Sequence, residues 1–328
     1  MKTLLLLALL SPWYHADSLL NKALNDSLIP GAVLCVVEAD TIQYIRAYGQ
    51  CALVPERETM TTTTIFDLAS VSKPIGAGTA ALQLIQAGRL HADDPVRKYL
   101  PAFDSEATIR HLMTHTSGLP PYMNARRLDS IYNARNPEHT ITRQAFFIDT
   151  ICRCQRQSAP GEKYTYSCLN FITLQAVVET ITGQSLHALR PYYRPLPIAS
   201  IDTFIAPTEI LPDGHILRGE VHDPLARVMM EGVSGNAGVF MSAEQVAEWC
   251  CWLMNLPDSV RTQACNAGLW TDKDGSLNHT GYTGTSIRLY PAQHRAIILL
   301  TNRVHPHDTD NAPIAALRRE LYRLLRVR

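Results

Sequence analysis

Ser70 and Lys73 stand three residues apart in the stretch Phe66-Asp67-Leu68-Ala69-Ser70-Val71-Ser72-Lys73-Pro74. Positions i and i+3 of a helix share a face, so the Lys73 amine reaches the Ser70 hydroxyl with no help from distant chain. A serine hydroxyl is a weak nucleophile until a neighbour takes its proton, and a Ser/Lys pair is one way to supply that neighbour. Pro74 places Ser70 at the N-terminal edge of a helix, where proline is tolerated and the positive end of the helix dipole lies close. Ser-x-x-Lys taken alone is a common accident of composition, and an ordinary surface helix start explains it equally well.

The elements that must position this pair follow from periodicity. Leu19, Leu20, Ala23, Leu24 and Leu28 recur at helical spacing behind an Asp/Ser cap, so an amphipathic helix is predicted over residues 17–28, broken by Pro30-Gly31. Residues 32–37 and 41–48 read as an antiparallel strand pair. A mostly apolar helix over residues 77–87 ends at Gly88. Helices are also predicted over 109–115 and 171–181, which makes the middle of the chain a helical layer. Ser242 and Gln245 have the spacing of a capping box for a further helix running to Leu253. Strands return over 285–290 and 296–301 across a short turn, and a last helix begins near Pro313. Its arginines, Arg318 among them, are expected on a solvated face. Strands near both chain ends around a helical middle imply an α/β (α+β) fold: one antiparallel sheet assembled from both termini, flanked by helices, with the helical part inserted. The sheet part is expected at about 17–88 and 225–328, the helical part at about 89–224.

Composition narrows the function. The chain has 328 residues, 46% hydrophobic and 18% charged, which is enough to bury a sizeable core. Thirty basic and thirty acidic residues cancel, so no basic field draws it to nucleic acid or to an anionic membrane. Lys2 and the apolar run from Leu4 to Leu10 read as a leader for export, too short to span a bilayer, with cleavage expected after Ala16. The protein is accordingly expected to be secreted or periplasmic. The eight cysteines match neither a redox pair nor a zinc site and read as small buried apolar residues. His305, His307 and Asp308 are read as loop residues and not as a metal site, and no cofactor is expected. His115, Ser117 and His222 read as loop and capping residues, and Ser234 as a turn residue.

Further motifs bear on Ser70. Tyr166, Ser167 and Cys168 precede a helix in Pro160-Gly161-Glu-Lys-Tyr-Thr-Tyr166-Ser167-Cys168-Leu-Asn170, and His279-Thr280-Gly281 opens a C-terminal strand. A serine with a lysine one turn on, a Tyr-x-Asn-like loop and a Lys/His-Thr-Gly strand are three motifs in order, and the chain resembles the serine β-lactamases and penicillin-binding proteins. It is most similar to the class C β-lactamase-like group, with its D-alanyl-D-alanine peptidases and esterases. The likeness runs over nearly the whole chain from Asp17 and includes Leu112-Met-Thr-His-Thr-Ser-Gly-Leu-Pro120 and Gly281-Tyr-Thr-Gly-Thr-Ser286.

The resemblance implies that Ser70 attacks a carbonyl and is acylated while Lys73 and Tyr166 handle its proton. A tyrosine serves as base when an adjacent cation stabilises its phenolate. It also implies an oxyanion hole made by the backbone N–H groups of Ser70 and Tyr282, with Gly281 allowing close approach and His279 and Thr280 lining the site. Two positions depart from the pattern. Cys168 stands where the family usually has Asn or Asp, which removes a side-chain amide, and Asn170 is expected to point elsewhere. His279 replaces a lysine and removes a permanent positive charge. Both departures favour an esterase or a D-alanyl-D-alanine carboxypeptidase-type peptidase over an efficient β-lactamase. The alternative is a β-lactamase, or a catalytically slow protein that binds penicillin or a peptidoglycan peptide. A monomer acting on a small or short-peptide substrate is expected.

Overall fold

The computed structural model describes residues 12–193 and 205–326. Seven strands form an antiparallel sheet in the order β3-β2-β1-β9-β8-β7-β6. They are β1 (Gly31–Glu38), β2 (Thr41–Ala52), β3 (Glu58–Thr59), β6 (Trp270–Thr271), β7 (Leu277–Thr280), β8 (Ser286–Tyr290) and β9 (Arg295–Thr301). Strands β4 (Phe66–Asp67) and β5 (Phe240–Met241) pair separately. The sheet is assembled from both ends of the chain, as the pattern predicts, because β1 pairs with β9 in the register Cys35↔Ile298.

Strand β1 is buried on both faces, so it reads as a continuous apolar run and not as an alternating one. Ala32, Leu34 and Val36 join Ile297 and Leu299 under helices α1 (Pro12–Asn25) and α10 (Ala312–Leu325). Val33, Cys35 and Val37 join Ile287, Leu289 and Ile298 on the opposite face. There they meet α8 (Ala243–Met254) and, beyond it, the helical layer. Each large aliphatic side chain removed from water in these layers stabilises the fold by about 1.5–3 kcal/mol before conformational entropy is counted.

The helical layer comprises α2 (Thr79–Gln86), α3 (Ile109–Met113), α4 (Ala125–Arg135), α5 (Arg143–Arg153), α6 (Cys168–Thr182), the short α7 (Leu186–Leu189) and, returning after α8, α9 (Asp258–Gln263). Helix α6 is buried around most of its circumference and is the spine of this layer. Ser167 caps it, accepting the Leu169 N–H at 3.2 Å, and Gly183 ends it in the left-handed region at φ 67°, where glycine carries no Cβ penalty. The capping box of Ser242 and Gln245 forms as expected.

Several boundaries differ from expectation. The opening helix starts at Pro12, not Asp17, because Trp13 stacks on Tyr44 at 4.8 Å and Ala16 is fully buried against the sheet. A cut after Ala16 would therefore fall inside a packed helix, and residues 1–11, the main part of the expected leader, lie outside the described residues. His279 and Thr280 end β7 and do not open a strand. Arg318 is buried, not solvated, and all eight cysteines are free. Among the described residues no helix is long and apolar enough to cross a membrane.

Candidate active site

The nucleophile turn is built from the β4–β5 pair outward. Asp67 pairs with Phe240, and the Leu68 N–H donates to the Val239 carbonyl at 3.0 Å. The buried Asp67 carboxylate accepts the N–H groups of Ala69 at 2.8 Å and His222 at 2.7 Å. Burial raises its pKa, and those two donors work in the other direction. Ala69 is held in the left-handed region at φ 47°, a backbone cost of roughly 1–3 kcal/mol that the surrounding hydrogen bonds sustain. The chain reverses there and presents Ser70 on a 3₁₀ turn, Ala69–Val71.

Ser70 thus stands at the N-terminal edge of a continuous helical run, as expected, but the run is irregular: the 3₁₀ turn passes through Ser72 and Lys73 into a wide π-helical turn over Pro74–Gly78 before the α-helix Thr79–Gln86. The i, i+3 relation survives because Ser72 and Lys73 keep right-handed helical backbone. Lys73 Nζ donates to Ser70 Oγ at 3.0 Å and to the Asn236 carbonyl at 3.0 Å, and lies 3.7 Å from Cys168 Sγ. It also lies 5.0 Å from the centroid of the Tyr166 ring. Lys73 has no exposed surface. Burial opposes its charged form, but the electronegative Cys168 and Tyr166 beside it outweigh that and hold its pKa above the ordinary lysine value. In its ammonium form Lys73 donates to Ser70.

Tyr166 stands beside that ammonium, backed by aromatic rings. His115 packs on it at 4.5 Å, Trp270 at 5.8 Å and His279 at 6.2 Å between ring centroids. His115 lies in the turn after α3, as expected of a loop residue, and is also a buried support for Tyr166: its Nδ1 accepts from the Ser167 N–H and the Asn170 amide, both at 3.1 Å, which assigns the proton to Nε2. Burial and the Lys73 charge push its pKa down to about 3. Asn170 also accepts from the Ser117 hydroxyl, so its side chain is committed away from Ser70, as expected. Asn236, whose carbonyl holds Lys73, accepts from Ser234 at 2.6 Å through Oδ1.

The opposite wall is the β7–β8 hairpin. Thr283 and Thr285 hydroxyls donate to the carbonyls of Asp67 and Leu68, each at 2.8 Å, and lock the turn against the Ser70 segment. A Cβ on Gly281 would stand 2.5 Å from the Leu68 carbonyl and 2.2 Å from Thr285 Oγ1, so glycine is required there for this packing. Arg318 of α10 donates to the Gly281 and Thr285 carbonyls, both at 2.9 Å, and clamps the hairpin from behind. Burial lowers its pKa to about 10. Tyr282 follows Gly281, and among the described residues no hydrogen bond engages its backbone N–H or that of Ser70.

A cavity of about 450 Å³ opens over these groups, lined by Ser70, Tyr166, Cys168 and Tyr282. The structure therefore brings together four of the expected site residues, with Lys73 beneath them. His279, Thr280 and Gly281 do not line it. His279 is fully buried, stacked on Trp270 at 4.4 Å, with Nδ1 donating to the Thr280 carbonyl at 3.0 Å. Burial, with the Lys73 charge, drives its pKa well down, so it is neutral. Residues not anticipated at the cavity are Tyr122, Glu209, His222, Asp223 and Asp308. His305 spends both ring nitrogens on the backbone of Thr208 and Leu53. Two other hollows, of about 680 and 490 Å³, are lined by none of Ser70, Lys73 and Tyr166.

Comparison with known proteins agrees with this geometry. The model of the beta-lactamase family matches residues 16–320, and the chain belongs to that family. It is 28% identical to a protein of Escherichia coli (strain K12) whose name gives D-alanyl-D-alanine carboxypeptidase as a provisional activity, over 86% of this chain and 80% of that one. It is 33% identical to Esterase EstB of Burkholderia gladioli, over 70% of this chain and 67% of that one. A solved class C beta-lactamase shares the fold, with a TM-score of 0.69 and 17% identity over 95% of this chain and 96% of that one.

Proposed function

We propose that this protein is a serine hydrolase that works through an acyl-enzyme on Ser70. The observation that carries the reading is the buried Lys73 ammonium 3.0 Å from Ser70 Oγ, beneath a cavity that Tyr166 also lines. Ser70 Oγ attacks the substrate carbonyl carbon and its proton passes to the Tyr166 oxygen, which acts as the base in its deprotonated form beside Lys73 Nζ, 5.0 Å from the ring centroid. The carbonyl oxygen takes up negative charge facing the backbone N–H groups of Ser70 and Tyr282. The carbonyl reforms as the bond to the leaving group breaks, and Tyr166 returns the proton to that group. Water then attacks the acyl-enzyme by the same route in reverse, releasing the acid and restoring the serine hydroxyl.

Esters are the substrates favoured. Among the described residues no lysine or arginine lines the cavity to hold a substrate carboxylate, and Cys168 offers no amide to grip a peptide. A D-alanyl-D-alanine carboxypeptidase-type activity is the second reading, supported by the name of the Escherichia coli relative. We further propose that the apolar run from Leu4 to Leu10 directs export, which N-terminal sequencing of the mature protein checks.

Intact-mass measurement tests the central claim. The protein is exposed to short-chain esters, a D-Ala-D-Ala peptide, a penicillin and a cephalosporin. Transient acylation by esters, absent in Ser70→Ala, is the expected result. Equal turnover by Ser70→Ala overturns the reading, and stable acylation by penicillin alone replaces it with a slow penicillin binder.

A further inference from the structure

The charged residues on the cavity wall all have one sign. Glu209, Asp223 and Asp308 line it, and among the described residues no lysine or arginine does. Two of the three carboxylates have partners within the protein. Asp308 accepts from Arg303 Nη1 at 3.0 Å and from the Tyr282 hydroxyl. Glu209 lies 3.2 Å from His222 Nε2.

Asp223 is different. Its Oδ1 accepts the Ala226 N–H at 2.9 Å, and its carboxylate has no ion pair among the described residues. The nearest arginine in sequence, Arg227, turns its guanidinium to the carbonyls of Val221 and His222, at 2.6 and 2.8 Å. Its negative charge adds to burial in raising the pKa values of Cys168 and Tyr122, and joins Cys168 and Tyr166 in favouring the charged form of Lys73. A partly exposed carboxylate without a counterion, in the same cavity as the nucleophile, is a position for a cation brought by the substrate. Tyr122 lines the same cavity and is 41% exposed, so its ring is available to the same cation, whereas the Tyr282 ring already carries the Arg303 guanidinium at 4.8 Å and His222 at 5.7 Å.

We infer that the cleft selects acyl substrates bearing a positively charged amino group, and that Asp223 is the residue that holds it. This rests on the hydrolase reading above and adds the substrate class. A substrate carboxylate at the rim would meet Asp223 and Glu209, and among the described residues no lysine or arginine lines the wall to offset them, so carboxylate-bearing substrates are disfavoured.

The test uses alanine p-nitrophenyl ester with its amino group free, N-acetylated or N-succinylated, in slightly acidic buffer. The readout is the ratio of kcat/KM values within each protein, so that intrinsic ester reactivity cancels between proteins. The free-amino ester is expected to exceed the N-acetyl ester by about tenfold or more, the scale of one desolvated charge pair, with the N-succinyl ester poorest. Asp223→Asn, which keeps the acceptor for Ala226, is expected to lower that ratio about tenfold, and Glu209→Gln to lower it less. A ratio that Asp223→Asn does not change, or a preference for the succinyl ester, overturns the inference while leaving the hydrolase reading intact. Calorimetric binding of alanine p-nitroanilide and its N-acetyl form to Ser70→Ala separates the two claims. Charge-selective binding there that is lost on adding Asp223→Asn upholds the inference even if no ester is hydrolysed, whereas equal binding of the two anilides sinks it.

Discussion

The floor of the cavity and its rim are built on opposite principles. On the floor, Lys73 is sealed from solvent and tied to Ser70 and Asn236, and Tyr166 is backed by His115, Trp270 and His279. At the rim, Tyr122 and Tyr282 are exposed by 41% and 50%, and Asp223 keeps a carboxylate without an ion pair among the described residues. A buried, fully packed constellation holds its geometry at no reorganisation cost during the reaction, whereas a half-exposed rim is free to vary with the substrate. The difference teaches that proton transfer and substrate choice are separable here. Changes on the floor should cost rate on every substrate, and changes at the rim should alter preference among them.

The most severe break of that comparison is on the floor. Tyr166→Phe removes the proposed proton acceptor but leaves the ring stack on His115. It is expected to lower kcat on all esters by roughly 10²–10⁴-fold, the contribution of a positioned acid–base group. Steady-state rates over a neutral and a charged ester check it. A loss confined to one of the two would place Tyr166 in substrate selection and dissolve the separation.

Arg318 tests whether the hairpin wall belongs to the floor or the rim. Arg318→Leu removes the buried guanidinium that the Gly281 and Thr285 carbonyls share, each of which keeps one backbone N–H donor, at a cost of about 1.5–3 kcal/mol in stability. Because those carbonyls flank Tyr282, kcat should also fall about tenfold through a misplaced oxyanion donor. Urea unfolding and ester kinetics measure both. An unaltered kcat in a destabilised protein would make the clamp purely structural.

How far these features were legible in sequence follows the same division. Ser70, Lys73 and the strand pair containing Cys35 and Ile45 are local patterns, and periodicity or spacing exposes them. The fold class followed because the apolar runs at both ends of the chain had no other partner to bury against. Asp223 and Glu209 gave no such signal: they reach the cavity through long-range packing, and His222-Asp223-Pro224 reads simply as a turn. His279 misled because its motif position says which strand it occupies, and only packing against Trp270 decides that it lies behind Tyr166 and off the cavity wall. Arg318 did carry a signal. With Ile314, Leu321 and Leu325 it continues the apolar stripe of α10, all four being buried, but an arginine there is read as solvent-facing until the two carbonyls it serves are seen.

A gentler change sharpens the rim. Cys168→Asn returns a side-chain amide beside Lys73, where Cys168 Sγ now lies 3.7 Å from Nζ. Penicillin acylation of Ser70, followed by mass, should speed up several-fold, about the value of one neutral hydrogen bond to the substrate amide. Ester turnover should change less. An equal effect on both would show that position 168 serves the floor.

The smallest expected effect is on stability against pH, and it separates floor from rim without any substrate. His115 is held neutral, with its pKa lowered to about 3 by burial and by Lys73, from the ordinary histidine value of 6.5 in the unfolded chain. Below 6.5 the unfolded state takes up a proton that the folded state refuses, so stability present above pH 6.5 is lost as the pH falls toward 3. The loss is at most about 1.4 kcal/mol per pH unit for one such histidine, and His279, lowered for the same reasons, adds to it. Urea unfolding at a series of pH values should show this slope, and it should lessen in His115→Gln, which cannot titrate. A slope that persists undiminished in that variant would place the acid sensitivity elsewhere, with buried His279 next in line and the exposed rim carboxylates after it.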